Sequence, residues 1–453
     1  MPDRECVAGT APIRFLQYRP LKRTILALIA AAFLAPGVDA ASTSGRFTTA
    51  FYSFERAFQD TATVGSLRAY QTGRLKIKGI GQREALSFQA YGRVSHDFQD
   101  YRSSDPAYRL YHAYFRWDDP KERFQLFLGR QSVFSGVGIG RIDGARISGK
   151  LRGIRLEAYG GALVYGGQEG LGSLARASMV GVRVRGEIRG TGIGVSAFRR
   201  SRELTPYTSQ ARIIEGLPGT EIRPGEVEQQ LIGLDVSRTA GRLLANIRWD
   251  ISTPNGWETR RFEADLKYRV AGWTVGGSFL YRTPYVDQNS VFSVFTQSSN
   301  QEVGFRVSRR VNRHLALFTD LVRTGYDGAD GYRAYAGVNV LNGTLGYVRR
   351  SGFAGSADGL TGVIRHRLSD SLLATVSSGY SRFLTHSGTG TRSRIWSNTI
   401  GIAYRPGRAL SLSFQGQSLS QNLESTTSDP FPGAGHDLRL FVSASTWFFR
   451  SGR

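Results

Sequence analysis

The stretch Arg260–Arg282 separates into two faces when every second residue is read. Phe262, Ala264, Leu266, Tyr268 and Val270 fall on one side, and Arg261, Glu263, Asp265, Lys267 and Arg269 on the other. After Ala271–Gly272 the pattern resumes with Trp273, Val275, Gly277, Phe279 and Tyr281 against Thr274, Gly276, Ser278, Leu280 and Arg282. Period-two alternation of this kind is the signature of a β-strand, and two such runs across a tight turn make a hairpin. Each arm has the length of a tilted strand crossing a bilayer, with aromatic residues near its ends.

The same unit recurs along the chain. Leu86, Phe88, Ala90, Gly92 and Val94 oppose Ser87, Gln89, Tyr91, Arg93 and Ser95, and Val180, Val182 and Val184 oppose Arg183 and Arg185. The earliest strands, over 46–58 and 67–78, are the least regular. The connections alternate in length. Short ones fall at 81–83, 118–122, 152–153, 190–192, 240–241, 271–272, 312–313, 342–343, 369–370 and 406–408. Longer Gly/Ser/Pro-rich ones fall at 99–107, 132–142, 166–177, 201–228, 283–300, 351–359, 385–392 and 419–436, with medium ones at 59–65, 252–258 and 324–330. Tight turns on one rim and long loops on the other mark outer-membrane barrels. The fold class expected is therefore all-β: a transmembrane antiparallel β-barrel of about 22 strands, or 18 to 20 if weak early strands merge, with no plug domain. The final strand, 437–448, ends in the aromatic cluster Trp447–Phe449, followed by Arg450–Arg453.

The N-terminal region fits export. Lys22 and Arg23 precede the apolar run Thr24–Val38, which is too short to span a bilayer as a helix and ends in small residues. Val38-Asp39-Ala40 has the side chains of a cleavage site, so 1–40 is expected to be a cleaved signal peptide and 41–453 a single barrel. The only cysteine, Cys6, lies in the removed segment, so the mature chain is expected to hold neither a disulfide nor a cysteine metal site. Strands begin soon after the cleavage point, leaving little room for the plug of an energised transporter.

Fifty-nine basic against 36 acidic side chains give a formal net charge of +23. The basic residues are spread over many strands rather than gathered in one patch, which argues against a nucleic-acid partner. In a membrane barrel the apolar face meets lipid and the polar face lines the interior. The inward set then includes Arg183, Arg185, Arg261, Lys267 and Arg269. Many of these would pair with neighbouring acids, and the surplus would favour anions.

Motifs for chemistry are sparse. Gly144–Lys150 matches most of a P-loop, but Leu151 stands where a magnesium-binding Ser or Thr belongs and a strand turn follows. Gly136-Val-Gly-Ile-Gly140 lacks the dinucleotide spacing. Asp327–Gly331 lacks the further ligands of a calcium loop. The histidines show no paired metal spacing, and no catalytic trio is legible. No cofactor and no enzymatic activity are expected.

Residues 108–162 carry the segment with family character: Tyr108–Trp117, then Gly129-Arg130-Gln131, the Gly-rich 132–142, and Asp143-Gly144-Ala145. This segment resembles the corresponding part of alginate-export-type and related carbohydrate porins. The resemblance implies a barrel carrying sugar-like or small organic solutes, with polar side chains at the constriction. Arg130, Gln131, Arg141, Asp143 and Arg146 are the candidates for that role; the alternative is that the glycines only relieve crowding and Arg130 is a wall residue. The reading is thus a passive outer-membrane pore for small anionic or sugar-like solutes. A non-transporting adhesion or structural barrel is the main alternative, and an outer-membrane enzyme a further one. Expected partners are outer-membrane lipid and lipopolysaccharide, the solute itself and the barrel assembly machinery. The loop 201–228 is long enough to act as a lid or constriction.

The export reading makes a direct prediction. The protein isolated from a bacterial outer membrane should begin at Ala41. Intact-mass analysis showing that 1–40 is retained would contradict it.

Overall fold

The computed structural model describes residues 40–58, 61–81, 85–99, 107–165, 170–203, 207–208, 221–222, 226–253, 256–283, 299–353, 355–384, 392–422 and 434–451. The expected signal peptide, most of 201–228, and the loops expected at 283–300, 385–392 and 419–436 lie largely or wholly outside the described residues.

The strands are β1 (Ala40–Phe58), β2 (Thr61–Ile80), β3 (Leu86–Asp97), β4 (Tyr108–Asp118), β5 (Phe124–Ser135), β6 (Gly138–Leu151), β7 (Ile154–Leu163), β8 (Ala177–Ile188), β9 (Thr191–Glu203), the two-residue β10 (Tyr207–Thr208) and β11 (Glu221–Ile222), β12 (Glu226–Ala240), β13 (Leu243–Ser252), β14 (Glu258–Val270), β15 (Trp273–Arg282), β16 (Asn300–Arg310), β17 (Leu315–Tyr326), β18 (Ala329–Val340), β19 (Gly343–Gly352), β20 (Ser356–Arg367), β21 (Leu372–Leu384), β22 (Arg392–Tyr404), β23 (Leu410–Asn422) and β24 (Ala434–Ser451). All except β10 and β11, which pair with each other, belong to one 22-stranded sheet. Each strand pairs antiparallel with its sequence neighbour, β9 passes to β12, and β24 closes on β1. Closure removes every sheet edge, as a wall in lipid requires.

The short connections fall where the alternation places them, within a residue or two. Arg152–Gly153, Arg189–Gly190 and Ala271–Gly272 all take positive φ, the backbone of the two-residue I′ turn that matches strand twist. In the turn 119–123, Arg123 Nε donates to Asp119 at 2.9 Å and holds that carboxyl below the usual carboxylate range. The stabilisation is therefore present at neutral pH and lost as pH falls through the lowered value.

The phase is as expected for most of the wall. Leu266, Tyr268, Val303, Phe305, Leu345, Leu360 and Ile400 are exposed on the outside, where lipid replaces water. Arg261, Lys267 and Arg269 alternate with them on the inside.

Four connections differ from the sequence reading. In 59–65 β2 already begins at Thr61, residues 324–330 close through Asp327–Gly328, and in 351–359 β19 runs to Gly352 and β20 begins at Ser356. The fourth is larger: 132–142 is not a loop but the outer half of the β5–β6 hairpin, paired from Gln131↔Ile142 to Ser135↔Gly138 around the turn Gly136–Val137. Alternating Val133, Ser135 and the glycines opposite them satisfy a ladder, so the glycines sit within strands.

This hairpin does not stay in the wall. β4 pairs with β5 only as far as Ala113↔Arg130, although β4 itself continues to Tyr108. On the other side β6 pairs with β7 only as far as Ile142↔Leu163. Residues 131–140 therefore pair with no strand of the wall. Their tip lies against inward-facing side chains of β9 and β13, which places the hairpin inside the barrel. The departure point is Gly129, at φ 121°, where a Cβ would stand 2.4 Å from the Ala113 carbonyl oxygen. Only glycine tolerates both constraints.

Gly129→Val should therefore lower the thermal midpoint of the folded barrel, read by heat-modifiable gel mobility, by the equivalent of about 1–3 kcal/mol. An unchanged midpoint would refute the bulge argument.

Candidate functional site

The lumenal hairpin has two faces. Gln131, Val133, Ser135, Gly138, Gly140 and Ile142 face the inner wall; Ser132, Phe134, Ile139 and Arg141 face away from it. Val133 and Ile142 are fully buried, and they pack with Val137, Tyr159, Leu163, Ala177, Met179 and Phe198 into an apolar cluster, with Tyr165 and Leu231 at its margin. These partners occupy the inward phase of β7, β8, β9 and β12. A rule that makes every inward position polar fails here, because the hairpin covers the wall and excludes water from it.

The tip is fastened by polar contacts. The Val137 N–H donates to Ser196 Oγ at 3.1 Å. Arg248 donates to the Gly136 carbonyl at 3.3 Å and pairs with Asp250. Gly233 clears the seat: a Cβ there would meet Val137 Cγ1 at 2.2 Å. A cavity of about 370 Å³ remains beside the tip, bounded by Phe134, Ile139, Arg183, Asp235 and Asp250.

The base of the hairpin holds the first group of candidates. Arg130, 3% exposed, donates to both Asp143 oxygens at 2.7 and 2.8 Å. It also donates to the carbonyls of Leu110 and Gly170. Asp143 in turn accepts the Gly172 N–H at 2.6 Å. Gln131, 2% exposed, donates to the Phe127 and Gly144 carbonyls. These three side chains tie strands β4 to β6 and the segment after β7 together, and none faces open lumen.

Arg141 and Arg146 are different. Arg141 lies over the Tyr111 ring at 5.5 Å and Arg146 over Phe127 at 4.1 Å. Neither has an ion-pair partner among the described residues. They join a basic and aromatic wall: Arg93 of β3, which the alternation places inward, stacks on Tyr70 at 5.0 Å, while Arg74 and Lys76 of β2 and the Tyr91–Tyr111 stack are partners that sequence reasoning did not single out. Among the described residues, none of Arg74, Lys76 and Arg93 makes an ion pair. Tyr111 reaches the interior because β4 bulges between His112 and Leu110, an irregularity that alternation alone does not reveal.

The remaining candidates lie elsewhere on the inner wall. Arg183 pairs with Asp235 at 2.7 Å and Arg261 with Glu263. Arg185 sits opposite Arg155, Lys267 opposite Gly276 and Arg269 opposite Thr274, toward the tight-turn rim. The structure thus gathers Arg130, Gln131, Arg141, Asp143 and Arg146 at the hairpin and leaves Arg261, Lys267 and Arg269 on distant strands. Among the described residues no group of three or more His, Asp or Glu side chains could hold a metal ion.

The lumenal position of the hairpin is directly testable. Val137→Cys/Ser196→Cys, in a mature chain expected to contain no other cysteine, should cross-link under mild oxidant and shift on a non-reducing gel. Two free thiols after oxidation would place the tip elsewhere.

The sequence matches no protein-family model and no curated protein. Solved structures are similar in fold. A point mutant of the ferric enterobactin receptor PfeA from Pseudomonas aeruginosa aligns with a TM-score of 0.57 at 11% identity, covering 90% of this chain and 80% of that one. The P pilus tip assembly intermediate of E. coli, containing PapC, aligns at 0.53 and 11% identity, over 92% of this chain and 62% of that one. Acinetobacter baumannii OccAB3 aligns at 0.41 and 12% identity, over 90% and 99%. The chain has the fold of a large outer-membrane β-barrel.

Proposed function

We propose that the protein is a passive outer-membrane channel that favours small anionic solutes and is narrowed by the β5–β6 hairpin. The observation that carries this reading is the distribution of unpaired cations inside the barrel. Around the hairpin tip the inward arginines are neutralised, Arg183 by Asp235 and Arg248 by Asp250, while Arg155 and Arg185 toward the tight-turn rim make no ion pair among the described residues. On the β2–β6 side, Arg74, Lys76, Arg93, Arg141 and Arg146 face the lumen without a carboxylate partner among the described residues. Fixed cations in a narrow aqueous passage lower the barrier for anions and raise it for cations.

The aromatic partners fit an organic solute. Tyr70, Tyr91 and Tyr111 offer flat faces beside the guanidinium groups, a surface suited to carboxylated or sugar-like molecules. The resemblance of 108–162 to alginate-export-type porins supports the same class.

In planar bilayers under a salt gradient, the purified protein should give stepwise conductance with a reversal potential favouring chloride over potassium. Arg74→Gln/Arg93→Gln/Arg141→Gln should move that ratio several-fold toward potassium while steps persist. A folded barrel without conductance steps, or one that prefers potassium before mutation, would overturn the reading.

A further inference from the structure

The outward face of the barrel carries a row of arginines where lipid-facing residues are otherwise apolar. Arg349 of β19 is the register partner of Asp358 of β20, Asp358 of Arg382 of β21, and Arg382 of Arg394 of β22. All four share the phase of Tyr347, Leu360, Tyr380 and Trp396, which are exposed on the outer surface. The row therefore runs across four adjacent strands on the lipid side. It lies on the rim away from the tight turns at 341–342, 368–371 and 405–409. One strand pair further on, Arg323 of β17 faces the same way and is paired with Asp330.

Directly beneath the row, toward the membrane centre, stand Tyr347, Tyr380 and Trp396. Tyr347 donates to Asp358 at 2.8 Å, and Trp396 donates to Asn398. Amphipathic rings at this position mark the boundary between hydrocarbon and headgroups. The arginines thus sit at headgroup level in the outer leaflet.

Among the described residues the charges in the row cancel only in part. Asp358 pairs with Arg382 at 3.4 Å, leaving two of the three arginines uncompensated. Arg349 and Arg394 make no ion pair among the described residues. Arg382 and Arg394 are direct cross-strand neighbours, an arrangement that repels. Elsewhere on the outward loop-side rim, Arg199 pairs with Glu228 and Arg260 with Glu258, so the uncompensated charge is local to β19–β22. An amphiphile with an anionic headgroup would supply the counter-charge the described residues lack, its apolar part lying against the belt below.

We propose that Arg349, Arg382 and Arg394 form a docking surface for the phosphate groups of lipopolysaccharide, with its acyl chains packed on Leu360 and Ile400 below. Arg382 and Arg394 on adjacent strands, with Arg349 two strands away beyond Asp358, offer two separated cationic points for the two phosphates of a phosphorylated diglucosamine headgroup, since arginine binds phosphate through paired N–H donors. The inference rests on the outer-membrane reading but not on the channel reading.

The test measures binding of purified deep-rough lipopolysaccharide to the folded protein in detergent micelles. Wild type should bind it, and Arg349→Gln/Arg382→Gln/Arg394→Gln should bind at least tenfold more weakly. Lipopolysaccharide stripped of phosphate should bind wild type as weakly as the intact form binds the triple variant. Equal binding by wild type and variant would overturn the proposal. So would undiminished binding of the stripped form, or competition by phosphatidylglycerol as effective as by lipopolysaccharide itself. Heat-modifiable mobility reports folding, and the single variant Arg394→Gln, which removes an exposed side chain without an ion-pair partner among the described residues, provides the same comparison if the triple variant does not fold. Chloride selectivity of the triple variant in phospholipid bilayers should equal wild type, so failure of the channel reading is seen separately.

Discussion

A wall in lipid can leave no backbone group unpaired, and the interior of this barrel is arranged around one place where the wall breaks that rule. Between β4 and β7 the β5–β6 hairpin turns inward, and the strands it leaves lose their neighbours. An unsatisfied amide or carbonyl in hydrocarbon costs several kcal/mol. Arg130 replaces part of the missing ladder: its guanidinium fork holds Asp143 and still reaches the Leu110 and Gly170 carbonyls. Asp143 completes the exchange by accepting the Gly172 N–H, and the Val164 N–H bonds to the Arg141 carbonyl at 2.8 Å. A buried ion pair is often a poor source of stability against an apolar alternative. Here an apolar pair could not serve, because the groups that need partners are backbone carbonyls and amides.

Leaving the wall also has to be favourable for the hairpin. Val133, Val137 and Ile142 exchange a lipid-facing or wetted position for the cluster around Met179 and Phe198. Burying each such side chain is worth about 1.5–3 kcal/mol against water. That gain is available only if the inner wall offers an apolar seat, and it does over the loop-side halves of β7, β8 and β9. Phe134, at 74% exposure, and Ile139, at 54%, lie on the opposite face and project into what remains of the lumen. The hairpin thus narrows the passage with apolar side chains on one side, while Arg141 turns toward the basic wall on the other.

The barrel itself was legible because period-two alternation and tight-turn chemistry are local properties. Arg261, Lys267 and Arg269 could be assigned inward from the exposed Leu266 and Tyr268 alone. The hairpin was misread because its cues are ambiguous. Gly136, Gly138 and Gly140 signal a loop by composition, yet Gly138 and Gly140 are strand residues whose missing side chains let the hairpin lie close to Tyr159 and Met179. A second cue was present in the inward phase of β7, which runs Arg155, Glu157, Tyr159, Gly161, Leu163. The change from charged to apolar halfway along says that something covers the far half. What covers it is a tertiary fact, separated from β9 and β13 by long stretches of chain. The bulge that brings Tyr111 inside is invisible for a similar reason, since it shifts phase by one residue without a glycine or proline to mark it.

The same geometry decides where charge can act. The hairpin covers the loop-side halves of β7–β12, and its tip is locked by groups already neutralised, Arg183 with Asp235 and Arg248 with Asp250. Along β2–β6, Arg93, Arg141 and Arg146 are held by rings rather than carboxylates. Stacking fixes a guanidinium without consuming its N–H donors. The Nε atoms of these three arginines indeed have no protein partner among the described residues. A carboxylate in their place would fix the side chain equally well but cancel its charge. Aromatic support therefore lets one strip of the inner wall be both ordered and cationic.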